Sequence, residues 1–67
     1  MIEVSINGEP REVPADLSVH ELLESLQLDP RLIVVERNGE ILRRDAYPDA
    51  AVAAGDVLEL VHFVGGG

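Results

Sequence analysis

The 67-residue sequence contains no cysteine, which excludes a disulfide scaffold and a zinc site built from thiolates. Basic residues are few: five face thirteen acidic ones, and a net charge of -8 disfavours binding to a phosphate backbone. No apolar run approaches the ~20 residues of a membrane span. The opening Met1-Ile2-Glu3-Val4 lacks the basic and then apolar pattern of a signal peptide. We therefore expect a soluble, cytoplasmic protein with neither a nucleic-acid nor a membrane partner.

Constellations of catalytic residues are also missing. The acidic residues are scattered, so no acid/base pair is visible, and a domain this small buries only ~60% of the surface of its unfolded chain. His20 and His62 show no metal-ligand spacing, and the one glycine run is terminal and opens no helix. We expect neither an enzyme active site, nor a bound metal, nor a bound cofactor.

Residues 2–13 are predicted to form a β-hairpin. Residues Ile2–Ile6 alternate between apolar and polar, which is typical of a half-buried strand. Asn7-Gly8 favours a two-residue turn because both positions tolerate positive φ. Arg11–Val13 can return as a second strand, which should be short and lie at an edge because Pro10 and Pro14 lack amide donors.

A helix is predicted over Ser18 to Leu28. Ser18 and Glu21 form a capping box, and Asp29-Pro30 should end the element, since a residue before proline avoids helical angles. Four apolar residues share one face at helical spacing: Val19, Leu22, Leu23 and Leu26.

The second half predicts three further strands. Leu32–Glu36 is β-branched and apolar, Asn38-Gly39 is a second hairpin turn, and Glu40–Leu42 returns. Residues 43–54 are loop-like with a single helical turn, and the last strand is predicted from Val57 to Val64.

This order of elements predicts an α+β fold in which one helix covers one face of a mixed sheet of four to five strands. With the first and last strands adjacent and parallel, the crossover obeys the handedness rule. This arrangement is the ubiquitin-like β-grasp. We expect it to occupy residues 1–64, followed by a flexible glycine tail over residues 65–67.

The sequence Gly65-Gly66-Gly67 is the most informative feature. Glycine has no Cβ, so its backbone fits a narrow channel and adopts strained angles. A compact body followed by such a tail can deliver the carboxylate of Gly67 into the active site of a partner, where activation, for example by adenylation, makes the acyl carbon reactive. The alternative is a frayed terminus or an expression scar.

The strand before this tail is apolar on both faces. Val57, Val61 and Phe63 share one face, and Leu58, Leu60 and Val64 share the other. A single helix covers one face only, so we predict that Val61, Phe63 and Val64 bind a partner. The alternative is that packing within the domain covers both faces.

Several of these motifs together resemble the ThiS family of thiamin-biosynthesis sulfur carriers. The resemblance spans the chain and rests on the first hairpin and the segments Val19-His20-Glu21-Leu22-Leu23, Asn38-Gly39-Glu40-Ile41, Gly55-Asp56 and His62-Phe63-Val64-Gly65-Gly66-Gly67, with Arg44 and an aromatic at Tyr47 between them. Tyr47 stands where tryptophan is more usual in the family.

The resemblance implies a co-substrate rather than an enzyme. A ThiF-like adenylating enzyme would use ATP to adenylate Gly67, a persulfide sulfur donor would convert it to a thiocarboxylate, and thiazole synthase would take the sulfur for the thiazole of thiamin. Gly65 and Gly66 would carry Gly67 into the partner's site.

Three other interpretations stay open at this point. The small subunit of molybdopterin synthase has the same fold, tail and chemistry. A ubiquitin-like protein modifier would join its terminal carboxylate to lysines, and a structural interaction domain would make no use of the tail.

Overall fold

A computed structural model of the chain describes residues 1–62. The predictions made for Phe63, Val64 and Gly65 to Gly67 lie outside the described residues. Within residues 1–62, five strands, one α-helix and two 3₁₀ turns occur in the order β1 (Ile2–Ile6), β2 (Glu9–Val13), α1 (Val19–Ser25), a 3₁₀ turn (Pro30–Leu32), β3 (Ile33–Arg37), β4 (Glu40–Leu42), a 3₁₀ turn (Arg44–Ala46) and β5 (Val57–His62).

The strands form one mixed sheet in the order β2-β1-β5-β3-β4. The first and last strands are neighbours and run parallel, with Ser5 opposite Val57 and Ile6 opposite Leu58, and the other neighbouring pairs are antiparallel. This topology confirms the predicted β-grasp. Strand β2 lies at the sheet edge, where Pro10 is tolerated despite its missing donor.

The core lies between α1 and the inner face of the sheet. Val19, Leu22 and Leu23 of the helix are fully buried, as the helical spacing predicted. They belong to one cluster with Val52 and Tyr47 of the long loop. The same cluster contains the inward-facing residues of the strands: Val4, Ile6, Val13, Ile33, Val35 and Leu58. One helix is thus enough to cover one face of the sheet. No helix within residues 1–62 is long and apolar enough to cross a membrane.

The helix starts as predicted and ends earlier than predicted. Both hydrogen bonds of the Ser18–Glu21 capping box are present. At the other end, Gln27 takes a left-handed φ of 62° and its N–H donates to Glu24 O, while Leu28 N–H donates to Leu23 O. These two bonds form a Schellman motif, which ends the helix before Leu28. The predicted end at Leu28 was therefore wrong.

Strand β3 begins one residue later than predicted. The N–H of Leu32 donates to Asp29 O at 2.9 Å, which draws Leu32 into the 3₁₀ turn that Pro30 opens. The strand then runs to Arg37, because Arg37 pairs with Glu40 across the Asn38-Gly39 turn. The prediction of a strand over Leu32–Glu36 was correct in type and shifted by one residue.

The ion pair before β3 predicts a pH-dependent contribution to stability. Hydrogen bonds from the side chain and backbone of Arg31 lower the pKa of Asp29 to about 2. A carboxylate whose pKa is lower in the folded protein stabilises it above the unfolded pKa, and that stabilisation is lost as the pH falls from about 4 towards 2.

We therefore expect Asp29→Asn to be less stable than wild type at neutral pH and the difference to shrink as the pH falls from about 4 towards 2. Asparagine keeps an acceptor for the Arg31 N–H but replaces the oxygen that accepts from Arg31 Nη2, so the salt dependence is needed to separate the charge from the lost hydrogen bond. Urea unfolding from pH 6 to pH 2, at low and high salt, measures it. A difference that stays constant over this range would contradict the assignment.

Candidate functional site

The last described strand leads directly towards the glycine tail. Along β5, Leu58 is fully buried and Leu60 half-buried on the inner face, whereas Val57 and Val61 are exposed on the outer face. Val61 is 58% exposed, so within residues 1–62 it is surface rather than core. The predicted alternation of β5 is confirmed, and the binding role of Val61 stays a prediction.

The outer face of the sheet combines apolar and acidic side chains. Register pairs place Val34 beside Val61 and Ile41 beside Glu36, and Ile41 is also exposed. The same register sets Glu36 directly opposite Glu59 and, on the other half of the sheet, Glu3 opposite Glu12. Paired residues project to the same face, so two like-charged pairs share the face with Val61.

No arginine balances these glutamates from the outward strand positions of residues 1–62. Arg11 is paired with the inward-facing Val4, and Arg37 donates from Nη1 to Ala51 O at 3.0 Å, on the helix side of the sheet. Like charges directly opposite each other destabilise a sheet. The outer face is therefore suited to a partner surface that carries positive charge around an apolar centre.

A shallow groove lies beside the end of β5. It has a volume of about 590 Å³ and runs between the end of α1, at Leu26 and Gln27, and the strand residues Leu60 and His62. Asn7 and Arg11 form its other side. Ser25 also lines the groove, and its hydroxyl donates to Leu22 O at 2.7 Å.

The two histidines lie on different elements of the fold. His20 is on the helix, with Nε2 at 3.4 Å from Glu24 Oε2, and His62 is exposed at the end of β5. Within the described part of the chain, no three His, Cys, Asp or Glu side chains are grouped so as to hold a metal ion.

Sequence reasoning missed how the two Asn-Gly turns act on β5. It interpreted Asn7 and Asn38 as turn residues, and both do adopt a φ of 52°. In addition, the side chain of Asn7 bonds to both backbone groups of Leu60, and that of Asn38 accepts from Val57 N–H. A turn motif predicts local geometry only, so these distant bonds left no signal in the sequence.

Comparison with known proteins supplies the family context. The profile of the ThiS family matches residues 4–67 of this chain. The sulfur carrier protein ThiS of Bacillus subtilis is 38% identical over 65 residues, a match that covers 96% of this chain and 98% of that protein.

A solved structure has the same fold. The crystal structure of the thiamine biosynthesis protein ThiS from Geobacter metallireducens superposes with a TM-score of 0.84 at 38% identity, covering 98% of this chain and 100% of that one.

A thiazole synthase is also similar to this chain. The protein of Paramagnetospirillum magneticum is 46% identical over 66 residues, a match that covers 98% of this chain. This chain spans only 20% of the length of that protein.

Proposed function

This chain belongs to the ThiS family, and from that membership we propose that it is a sulfur carrier of thiamin biosynthesis whose reactive group is the carboxylate of Gly67. The observation that carries the proposal is that the family profile runs to residue 67 and so includes the three terminal glycines. The almost complete overlap with the B. subtilis carrier supports it, because the match covers 96% of this chain and 98% of that protein.

The proposed chemistry takes place at one acyl carbon. In the site of a ThiF-like adenylating enzyme, an oxygen of the Gly67 carboxylate attacks ATP, pyrophosphate leaves, and an acyl adenylate forms. A persulfide sulfur then attacks the acyl carbon and AMP leaves. A thiol then attacks the sulfur that is not bonded to the acyl carbon. The S–S bond of the acyl disulfide breaks, a new disulfide forms with the thiol, and a thiocarboxylate remains on Gly67. The carrier itself needs no cysteine, because the transferred sulfur is held by the acyl carbon.

The body of the domain provides recognition in this proposal. The outer face of the sheet, with exposed Val61 among glutamates, is proposed to bind the adenylating enzyme, and Phe63 and Val64 are proposed to extend that contact towards the tail. Complementary charge mainly accelerates association and selects the partner, whereas the apolar centre supplies affinity.

Thiazole synthase is the proposed acceptor of the sulfur. The support is that a thiazole synthase of P. magneticum and one of Magnetococcus marinus each match this chain over 98% of its length, in a segment that makes up 20% of each protein. The occurrence of carrier-like sequence within a thiazole synthase supports the proposal that the two act in consecutive steps.

The test is an intact-mass measurement. The full chain is incubated with ATP, a ThiF-like adenylating enzyme and a persulfide donor, and we expect one oxygen of Gly67 to be replaced by sulfur. A chain that supports ATP–pyrophosphate exchange but gains no sulfur, and instead becomes linked to lysines of other proteins, would be a protein modifier. A thiocarboxylate that is consumed by molybdopterin synthase and not by thiazole synthase would favour that alternative pathway.

The amino-acid composition limits what the chain could do as a protein modifier. All five basic residues of this chain are arginines. Without a lysine of its own, the chain cannot form polymers through isopeptide bonds to its own side chains.

The docking hypothesis predicts a selective effect of Val61→Ala. Val61 is exposed, so the free energy of unfolding should change by no more than about 0.5 kcal/mol. The Kd for the adenylating enzyme should rise by about fivefold or more, as expected for an apolar contact worth about 1 kcal/mol or more. Thermal unfolding and titration calorimetry measure the two quantities.

Val57→Ala is the matched control, because it is an exposed valine on the same face, four residues earlier in β5. We expect it to weaken binding less, since it lies at the end of the strand away from the tail. An unchanged Kd in Val61→Ala would show that the outer face near the tail does not contact this partner.

A further inference from the structure

The two ends of β5 are held in different ways. Towards β3, the backbone pairing is continuous from Leu58, opposite Arg37, to His62, opposite Ile33. Towards β1, the backbone pairs are those of Val57 and Leu58 alone, because β1 ends at Ile6 and the chain then turns away. The half of β5 that leads into the tail therefore has a backbone neighbour on one side.

Asn7 occupies the other side of that half. Its backbone N–H donates to Leu58 O at 2.9 Å. Its side-chain Oδ1 accepts from Leu60 N–H at 2.7 Å, and Nδ2 donates to Leu60 O at 3.3 Å. A carboxamide has the same donor and acceptor as a peptide group, so this side chain continues the β1–β5 ladder where the backbone of β1 has left it.

Apolar packing holds the same segment less firmly than it holds the fully buried Leu58. Leu60 is half-buried, and Val61 and His62 are exposed. Hydrogen bonds from β3 on one side and from Asn7 on the other are therefore the main constraints on the direction of β5 at this end.

We propose that Asn7 is a positioning residue for the reactive tail: by clamping Leu60 from the β1 side, it fixes the point and direction from which the chain continues to Gly67. This inference rests on the proposed function, because it concerns the presentation of the same carboxylate. Gly67 lies seven positions after Leu60, and that length of chain spans at most ~25 Å. We infer that a change of direction at Leu60 alters where the docked carrier presents its carboxylate, and a displacement near 1 Å can cost ~100-fold in rate.

The chain contains a matched control in Asn38. This residue has the same φ of 52°, precedes a glycine in the same kind of turn, and also contacts β5 through its backbone and its side chain. Its N–H donates to Val57 O at 2.8 Å, Oδ1 accepts from Val57 N–H at 2.9 Å, and Nδ2 donates to Asp56 Oδ1 at 3.2 Å. Asn38 therefore makes the same number of bonds at the opposite end of β5.

The experiment compares Asn7→Gly with Asn38→Gly. Glycine accepts the positive φ, and Gly-Gly is itself a favoured hairpin sequence, so both variants should fold. The kcat and KM for the carrier are measured by ATP–pyrophosphate exchange with the adenylating enzyme. Amide hydrogen exchange is measured at Leu60 and Val57, and thermal unfolding reports the loss of stability in each variant.

We expect Asn7→Gly to lower kcat about tenfold or more with KM within about twofold, because the outer face still docks while the carboxylate is misplaced. The Leu60 amide should exchange faster. Asn38→Gly should lose similar stability and accelerate exchange at Val57, with kcat close to wild type. Asn7→Asp keeps the acceptor for Leu60 N–H but loses the donor to Leu60 O, so its kcat should lie between those of Asn7→Gly and wild type.

Equal losses of kcat in the two glycine variants would overturn the inference, because a merely structural role predicts that result. Unchanged exchange at Leu60 in Asn7→Gly would overturn it as well. A wild-type chain that supports no pyrophosphate exchange would refute the proposed function itself, whatever the amides show, so the two failures are distinguishable.

Discussion

Tyr47→Phe should lower the free energy of unfolding by about 2 kcal/mol, although it removes a single oxygen atom. The hydroxyl of the buried Tyr47 donates to Ile33 O at 2.8 Å and accepts from Val35 N–H at 3.1 Å. Phenylalanine leaves both of these buried backbone groups without that partner, and an unsatisfied buried group costs ~1–3 kcal/mol. For a domain of this size, the unfolding midpoint should fall by about 8–16 °C.

The reason for so large an effect is the position of the hydroxyl along β3. The pairing of β3 with β4 ends at Val35, opposite Leu42. Ile33 O and Val35 N–H lie on the β4 side of β3, at the point where this pairing ends. The Tyr47 hydroxyl bonds to both groups, as the backbone of a neighbouring strand would. A tryptophan at this position would satisfy the acceptor alone, because the indole N–H is a donor only.

Ser25→Ala is the control for the loss of a hydroxyl. Ser25 Oγ donates to Leu22 O at 2.7 Å, yet Ser25 is exposed, so water replaces the lost bond and stability should change by about 0.5 kcal/mol or less. Urea unfolding of both variants measures the difference. A Tyr47→Phe protein as stable as Ser25→Ala would show that the two backbone groups find other partners.

Tyr47 also illustrates which parts of the fold the sequence could predict. Strand alternation, the Ser18–Glu21 capping box and the Asn-Gly turns depend on neighbours within a few residues, and each was found where predicted. The parallel placement of β1 and β5 followed from a topological rule that restricts the possible crossovers. These features needed no knowledge of distant contacts.

Two kinds of feature were not predictable from the sequence: the end of the helix, and the hydrogen bonds that join distant residues. Gln27 adopts a left-handed conformation in which glycine is usual, so the helix end carried no compositional signal. The bonds from Asn7 to Leu60 join residues 53 positions apart, and the Tyr47 hydroxyl reaches back 14 positions to Ile33. The identity of a polar side chain does not show which distant backbone group it will bond to.

The same distinction applies to the candidate site. Exposure of Val61 followed from strand alternation and from having one helix to cover two faces. The acidic pairs of the outer face did not, because they depend on register: Glu36 meets Glu59 only through the alignment of β3 with β5. A slip of one residue would move one glutamate to the opposite face.

Deleting Gly67 should abolish adenylation while leaving the domain as stable as wild type. Every buried residue of the described core precedes His62, so the free energy of unfolding should change by no more than about 0.5 kcal/mol. The terminal carboxylate would then sit on Gly66, up to ~3.5 Å short of the ATP in the partner's site. Because a displacement near 1 Å can already cost ~100-fold, we expect the rate of ATP–pyrophosphate exchange to fall by more than ~100-fold.

Gly67→Ala distinguishes the effect of tail length from the effect of the missing side chain at the terminal residue. It keeps the carboxylate at the same number of bonds from Leu60 and adds one methyl group beside the acyl carbon, where glycine alone has no Cβ. We expect kcat for exchange to fall while KM stays near the wild-type value, since the outer face of the sheet is unchanged. Both variants are compared with wild type by pyrophosphate exchange and by thermal unfolding.

The results for these two variants show whether the length of the tail positions the terminal carboxylate in the partner's active site. If the protein lacking Gly67 exchanged pyrophosphate as fast as the intact chain, the terminal carboxylate would not be placed by chain length, and the carrier proposal would be wrong. If Gly67→Ala were as inactive as the deletion, with binding unchanged, the partner's channel would have to exclude even a methyl group. In that case a glycine end is required for steric reasons, and the proposed function stands.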